Sequence, residues 1–415
     1  MTLPDAPAAL AARRITRRIP TWGAVAPLLG FRRPVWNRVD RRLAQALSVK
    51  DLARIARRTT PRSVFDYVHG AAEEELSIAR ARRAFAQVEF EPRVLHDVAE
   101  VDTSTTILGQ PASFPLIMAP TGFTRMMQYE GEIAVARAAA RAGVPYTLST
   151  MGTTSPSELQ RAVPSGANWF QLYLWKDRDG TRRLIDDVRR AGYDTLVLTV
   201  DTPVAGNRLR DARNGLTIPP TLNLKTMWDM AWHPAWWFNV LTTEPIEFAS
   251  LRSFDGTVAE LVAKMFDPSL RLEDLAWLRE EWSGKLVVKG IQSVADAQRV
   301  VDAGADALVV SNHGGRQLDR APTPLRLLPD VASAVGDRAE IFLDTGILSG
   351  ADVLAAVGLG ADACMVGRAY LYGLMAGGER GVDRMLQIMR AEAVRTMQLT
   401  GVSTVAELRG RVRLG

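Results

Sequence analysis

The sequence predicts a closed (β/α)8 barrel of the TIM-barrel class. Helices precede the barrel, and a long insertion follows its fourth strand. Three observations lead there. Short apolar runs recur eight times along the chain, and stretches of helical spacing lie between them. That alternation calls for parallel strands covered by helices. No GxGxxG opens a helix after the first run. Its absence weakens the alternative, a doubly wound open sheet.

Residues 48–90 read as helices ahead of the barrel. The segment SVKDLARIARRTTPRSVFDYV offers Ser48 as an N-cap and carries an apolar stripe. The strands then follow as LIMAPTG (116–122), PYTLST (145–150), WFQLYLW (169–175) and TLVLTVD (195–201). They continue as LVVKGI (286–291), ALVVSNHG (307–314), IFLDTG (341–346) and ACMVGR (363–368). Each is short and nearly continuously apolar, as a strand buried on both faces should be. EIAVARAAARAG (132–143) and DVLAAVGLG (352–360) show the helical spacing between them, and a last helix starts near 381.

About 85 residues separate strands four and five, where roughly 20 to 30 would be ordinary. Residues 209–275 are therefore expected to form a lid-like insertion over the C-terminal face of the barrel. It carries Trp228, Trp232, Trp236, Trp237 and Phe238. Such aromatics either pack the insertion onto the barrel or a neighbouring subunit, or form a patch that meets a membrane surface or a quinone.

With 47% apolar and 23% charged residues, the 415-residue chain has a soluble globular composition. Residues 1–45 form a basic arm, and residues 46–415 form the barrel. The net charge is +5 and the isoelectric point about 9.5. Arg13, Arg14, Arg17, Arg18, Arg32, Arg33, Arg38, Arg41 and Arg42 supply much of the excess. A solvated tail or subunit-interface arm is the plainer reading, and contact with anionic lipid the sharper one. Nucleic acid is not expected as a partner.

A single cysteine, Cys364, excludes a disulfide framework and any cysteine-rich metal site. It lies in an apolar run and reads as a buried, inert thiol. No metal is expected. No run of about 18 apolar residues is present, so no spanning helix is expected. The early arginines are not followed by an apolar stretch, so no secretion signal is expected either. The expected location is the cytoplasm, with contact at the inner face of the cell membrane left open.

Barrel enzymes place their chemistry at the C-terminal ends of the strands. The sixth strand ends in SNHGGRQLD. His313 there can accept a proton near neutral pH, and Arg316 can grip a carboxylate through two parallel hydrogen bonds. Of the four histidines, only His313 stands at a strand end. The fourth strand ends in Asp201, two strands away in the barrel, where a carboxylate can hold the imidazole in one tautomer. Arg208 follows, either as a second guanidinium in the pocket or as a surface ion pair. Lys289, on the fifth strand, is either a Schiff-base nucleophile or a fixed charge beside an electron-accepting ring. The last two strands end in DTGILSG and VGR, where barrels often hold a phosphate. Gly346, Gly350 and Gly367 expose backbone N–H groups there, and Arg368 adds charge.

Together these segments resemble the flavin mononucleotide (FMN)-dependent 2-hydroxy-acid dehydrogenases, from about residue 48 to 410. SNHGGRQLD is the most specific likeness. FDYVHGAAEEE, IMAPTGF, FQLY, TVDTP, LVVKG and the DTG…VGR pair support it. GRAYLYGLMAGGERGVDR resembles the bacterial L-lactate dehydrogenase branch in particular.

The resemblance implies His313 as base, Asp201 as its orienting partner, and Arg208, Arg316, Tyr67 and Tyr173 as substrate ligands. It implies that Pro120, Thr121 and Gly122 lie against the flavin ring, with Ser149, Gln171 and Thr199 at its edge. Lys289 would face the N1/O2 side, with Ser311 near the flavin. Asp344 would bind the ribityl chain, and Gly346, Gly367 and Arg368 the phosphate. A homotetramer is the implied assembly.

Three positions depart from the family pattern. Leu348 replaces an arginine, which removes one phosphate or ring contact. Met151 replaces the tryptophan of glycolate oxidase and reshapes the substrate pocket. Gly122 replaces the alanine common in oxidases, which favours a dehydrogenase over an oxygen-using oxidase. The expected reaction is oxidation of a small L-2-hydroxy acid, L-lactate first, with electrons passed to a quinone. An oxygen-using oxidase, a mandelate-type dehydrogenase and an FMN barrel isomerase are the alternatives.

Overall fold

The computed structural model describes residues 17–29, 36–215, 224–249 and 267–415. All eight strands are present and parallel: β1 (Leu116–Met118), β2 (Tyr146–Ser149), β3 (Asn168–Leu172), β4 (Thr195–Thr199), β5 (Lys285–Ile291), β6 (Ala307–Val310), β7 (Glu340–Leu343) and β8 (Ala363–Val366). Each pairs with its neighbours in chain order, and β8 closes onto β1 with Cys364 opposite Leu116.

Successive strand side chains point to opposite sides of a sheet, so each strand serves two environments. Leu116, Leu148, Phe170, Leu196, Leu198, Leu286, Val288, Leu308, Ile341 and Leu343 pack outward in the main core, beneath the helices. The alternate residues Ile117, Trp169, Val197, Val287, Ala307, Val309, Phe342, Ala363 and Met365 form a separate cluster inside the barrel. This explains why the strands read as continuous apolar runs.

The interior cluster has a floor. Thr105–Ile107 and Gln110–Ala112 pair as an antiparallel hairpin, and Ile107, Leu108 and Ala112 join the same cluster. The Leu108 N–H donates to both carboxylate oxygens of Glu340 at 2.9 Å, which ties the hairpin to the start of β7.

The outer helices begin on side-chain caps. Ser155, Asp177, Ser293 and Ser349 each accept from the backbone N–H three residues on. Each cap is worth about 1 kcal/mol. Ahead of the barrel, Ser48 and Asp51 form a capping box on the helix Val49–Thr59, and the helix Arg62–His69 follows.

Part of the basic arm also packs. Leu43 in the helix Arg38–Ala44 is buried, and Arg42 donates to the Ala376 carbonyl at 3.4 Å. Arg17 and Arg18 are exposed. Arg13, Arg14, Arg32 and Arg33 lie outside the described residues.

Between β4 and β5 the chain forms helices Leu209–Asn214, Leu224–Ala231 and Pro234–Leu241. The helix Leu272–Glu281 leads into β5. Residues 216–223 and 250–266 of the expected insertion lie outside the described residues.

Phe342 is fully buried in the interior cluster, with its ring 6.1 Å from that of Trp169. Phe342→Ala is expected to cost about 3–5 kcal/mol of stability, read as a lowered midpoint in denaturant unfolding.

Candidate active site

The two-residue alternation that fills the barrel interior continues upward. Two positions beyond Trp169, Val197, Val287 and Phe342 stand Gln171, Thr199, Lys289 and Asp344. Their side chains therefore point inward at the C-terminal mouth. All four line one cavity of about 820 Å³.

The loop after β6 is wound tightly. His313, Gly314 and Gly315 have φ of 59°, 68° and 71°, all left-handed. For a histidine this conformation is strained, and such strain persists where surrounding contacts over-determine it. Those contacts are present. Ser311 Oγ accepts from the His313 N–H at 3.0 Å, and Asn312 Oδ1 accepts from the Gly315 N–H at 3.0 Å. Thr345 Oγ1 accepts from the Gly314 N–H at 3.0 Å and donates to Asn312 Oδ1 at 2.9 Å.

The result is an imidazole held from behind. His313 Nδ1 lies 2.9 Å from Asp201 Oδ1. Burial acts to raise the Asp201 carboxyl, but the charge and hydrogen bond of His313, helped by Lys289, outweigh it and leave it below its ordinary value. A carboxylate can only accept, so Nδ1 carries a proton, and in the neutral ring the lone pair is then on Nε2.

Gly290 makes the contact possible. It has φ of +113°, and a Cβ there would stand 2.6 Å from Asp201 Cβ. The β5–β6 register slips at the same point, between Lys289 and Ile291.

Two guanidiniums meet on one tyrosine. Arg316 and Arg208 lie over the Tyr67 ring, with centroid distances of 4.9 and 5.2 Å. Arg316 also donates to the carbonyls of Tyr67 at 2.6 Å and Gly70 at 3.0 Å. Burial and the nearby charge of Arg208 push Arg316 down to about 10. Arg208 sits 3.3 Å from Asp211. The helices that carry this group are locked together: Arg210 binds Glu75 at 2.9 and 2.5 Å, and Asn214 donates to Asp66 at 2.8 Å. Tyr173 also lines the cavity, and burial pushes its hydroxyl above the usual phenol range, making it harder to ionise.

Deeper in the cavity, Lys289 Nζ pairs with Asp344 Oδ2 at 2.7 Å and donates to Ser311 Oγ at 3.0 Å. Burial alone would lower the lysine, but Asp344 and Asp201 more than offset it and leave it raised. Ser149 Oγ donates to Gln171 Oε1 at 3.0 Å, which leaves the buried Gln171 Nε2 without a partner. Pro120, Thr121 and Gly122 line the wall beside them. A Cβ on Gly122 would meet that of Met151 at 2.8 Å. Tyr370, which the sequence reading missed, fixes that wall: its hydroxyl donates to the Ala119 carbonyl at 2.8 Å and meets Thr121 Oγ1 at 2.5 Å.

At the far end, Gly346 follows β7 with φ of +91°, and Gly367 caps the helix Arg368–Gly377. Arg368 is turned inward, donating to the carbonyls of Val68, Gly314 and Gly70 at 3.0, 2.9 and 2.7 Å.

Sixteen of the expected site residues therefore line this cavity. Asp201 and Ser311 stand one step back and act through His313 and Lys289.

The comparisons agree with this geometry. A family model described as FMN-dependent dehydrogenase matches residues 56–413. The chain belongs to this family. A putative L-lactate dehydrogenase of Mycobacterium tuberculosis is 56% identical over 397 residues, covering 96% of each chain. The human protein named 2-hydroxyacid oxidase 1 is 38% identical, covering 88% of this chain and 95% of its own. The solved structure of (S)-mandelate dehydrogenase, described as a monotopic membrane protein, superposes with a TM-score of 0.86. It is 35% identical, over 89% of this chain and 100% of that one.

The cofactor of this FMN-dependent dehydrogenase is FMN, and the residues present fit it. The unpartnered Gln171 Nε2 is an unsatisfied buried donor at the wall, where the edge of a flavin offers acceptors. Lys289 is a buried cation, and glycines leave the far end open to a phosphate.

Gly410 shares a positive φ of +76° but has nothing within 4 Å of a built Cβ. Gly410→Ala should therefore cost about 1–2 kcal/mol, the left-handed penalty alone. Gly290→Ala should cost distinctly more, because it also drives against Asp201. Thermal unfolding of the two variants checks the order.

Proposed function

We propose that the protein oxidises a small L-2-hydroxy acid, L-lactate to pyruvate first, and passes the electrons to a quinone at a membrane surface. The observation that carries this reading is the convergence of His313, Arg208, Arg316, Tyr67 and Tyr173 on the cavity that also holds Lys289 and Gln171.

FMN, when bound, supplies the two-electron acceptor for the substrate's α-carbon. Pro120, Thr121 and Gly122 would lie along its ring, and Ser149, Gln171 and Thr199 would meet its edge. Lys289, steadied by Ser311, would place its charge at the N1/O2 side. Asp344 would bind the ribityl chain, and Gly346, Gly367 and Arg368 would hold the phosphate.

Arg208 and Arg316 grip the substrate carboxylate, each charge-assisted bond being worth about 1.5–3 kcal/mol. Tyr67 and Tyr173 hydrogen-bond the substrate. His313 takes the proton at Nε2, from the hydroxyl oxygen or from the α-carbon, and Asp201 stabilises the imidazolium that results. Two buried guanidiniums side by side repel each other, so an anionic substrate relieves the site as it binds. An isomerase would have no use for that pair.

A mandelate-type substrate is the second reading. Met151 stands where a tryptophan would narrow the pocket, and the chain superposes closely on a structure named mandelate dehydrogenase. Anaerobic addition of L-lactate and of (S)-mandelate separates the two by which one bleaches the flavin. Recolouring in air that keeps pace with turnover would favour oxygen over quinone.

Membrane contact is supported by the insertion. Trp228 and Trp232, whose rings meet at 6.0 Å, are each 70% exposed, and Phe238 and Leu241 on the next helix are 58% and 74% exposed. Large exposed apolar side chains grouped in this way mark an interaction site. Among the described residues no helix is long and apolar enough to cross a membrane.

Two outcomes follow from these assignments. His313→Gln should slow anaerobic flavin bleaching by about 10²- to 10⁴-fold while the flavin stays bound, measured by stopped-flow absorbance. Bleaching at the parent rate would remove His313 as the base. Replacing Trp228 and Trp232 together by Ser should release the protein from phosphatidylglycerol vesicles in a sedimentation assay. Their exposure means the barrel itself should be unaffected.

A further inference from the structure

A phosphate monoester held in a cavity needs donors and also countercharge. The donors are at hand in the backbone around Gly346 and Gly367. The countercharge is less obvious. Leu348 lines this end and offers none. Arg368 turns Nε, Nη1 and Nη2 onto three backbone carbonyls but, because these are neutral, keeps its charge. Lys289 is paired with Asp344 at 2.7 Å, and Arg208 and Arg316 sit on Tyr67.

A further cation lines the cavity beside Gly346. The helix Leu76–Ala86 packs directly on that glycine, where a Cβ would meet Ala81 Cβ at 3.1 Å and the Phe85 ring at 3.4 Å. This packing brings Arg82 to the cavity wall. Its Nη1 donates to the Gly346 carbonyl and to Asp352 Oδ2, the latter at 2.7 Å. The same Asp352 oxygen accepts from the Leu348 N–H at 2.8 Å, so the guanidinium is held against the loop that follows β7. Its side chain remains 32% exposed. Nε and Nη2 make no hydrogen bond among the described residues, so donors of the fork are still unspent.

We propose that Arg82 is a second phosphate-binding cation of the FMN site beside Arg368, supplying the charge that Leu348 cannot. This rests on the assignment of the phosphate to Gly346 and Gly367. Arg82 touches only the phosphate end of the cofactor, so its effect is confined to FMN and absent from riboflavin, which lacks the phosphate.

The test compares the two flavins on the full-length protein. Bound flavin is removed and the protein titrated with FMN or with riboflavin, following the quenching of flavin fluorescence. The parent should prefer FMN strongly. Arg82→Gln should weaken FMN by about tenfold or more, while riboflavin changes by less than about twofold. Arg82→Lys should keep most of the preference, because it keeps the charge. Adding Leu348→Arg to Arg82→Gln should restore it. Equal weakening of both flavins, or of neither, would overturn the proposal. A parent that binds riboflavin as tightly as FMN would overturn the phosphate assignment itself, whatever Arg82 does.

Discussion

The structure depends on one geometric constraint, the two-residue repeat of a β-strand closed into a barrel. Every strand must put alternate side chains inside. In the lower layers that interior is apolar and packed, with Trp169, Val197, Val287 and Phe342 filling it above the hairpin floor. One repeat higher, the same strands present Gln171, Thr199, Lys289 and Asp344 to the cavity. These groups are still buried, and they are tolerated there because they pair: Lys289 with Asp344 and Ser311, and Gln171 with Ser149. The site is thus the top layer of the core, which makes it rigid. The residues that do the chemistry sit on, or just beyond, strands whose other side chains are locked under the helices.

Electrostatics then selects the ligand. The cavity gathers Arg82, Arg208, Lys289, Arg316 and Arg368, against Glu75, Asp211 and Asp344 on its lining. Burial and its neighbours hold Arg316 below its ordinary value. Such an excess of cations suits the two anions of the proposed reaction, a cofactor phosphate at one end and a substrate carboxylate at the other. The Asp201–His313 contact stands apart from this excess, because Asp201 is buried behind the imidazole and its carboxylate accepts from Nδ1.

Much of this was legible in the sequence. Eight apolar runs gave the barrel, because strands buried on both faces leave a continuous trace. The groups directly after each run gave the site, because position along a barrel strand is position in depth. Asp201 and His313 lie 112 residues apart and still meet, since the order of strands in this fold is the order in the chain. Other parts left weaker traces. Gly290 looks like any glycine after a strand, and only the approach of Asp201 shows why a side chain is excluded there. Arg82 is one of several arginines on its helix, and its placement comes from Ala81 and Phe85 packing on Gly346. Tyr370 sits in an apolar helix where a core role was the simpler reading. Arg368 was expected as a phosphate ligand, and it lines the cavity; that its side chain is also anchored on the carbonyls of Val68, Gly70 and Gly314 left no trace in the sequence.

The central claim is spatial: one ring, one imidazole and two guanidiniums share a single cavity. A crystal structure of the FMN-loaded protein with pyruvate bound tests it most directly. The account predicts the isoalloxazine against Pro120–Gly122, the pyruvate carboxylate within hydrogen-bonding distance of both Arg208 and Arg316, and His313 Nε2 beside the carbonyl carbon's oxygen. Pyruvate bound away from the two arginines, or a ring seated outside the barrel mouth, would contradict it.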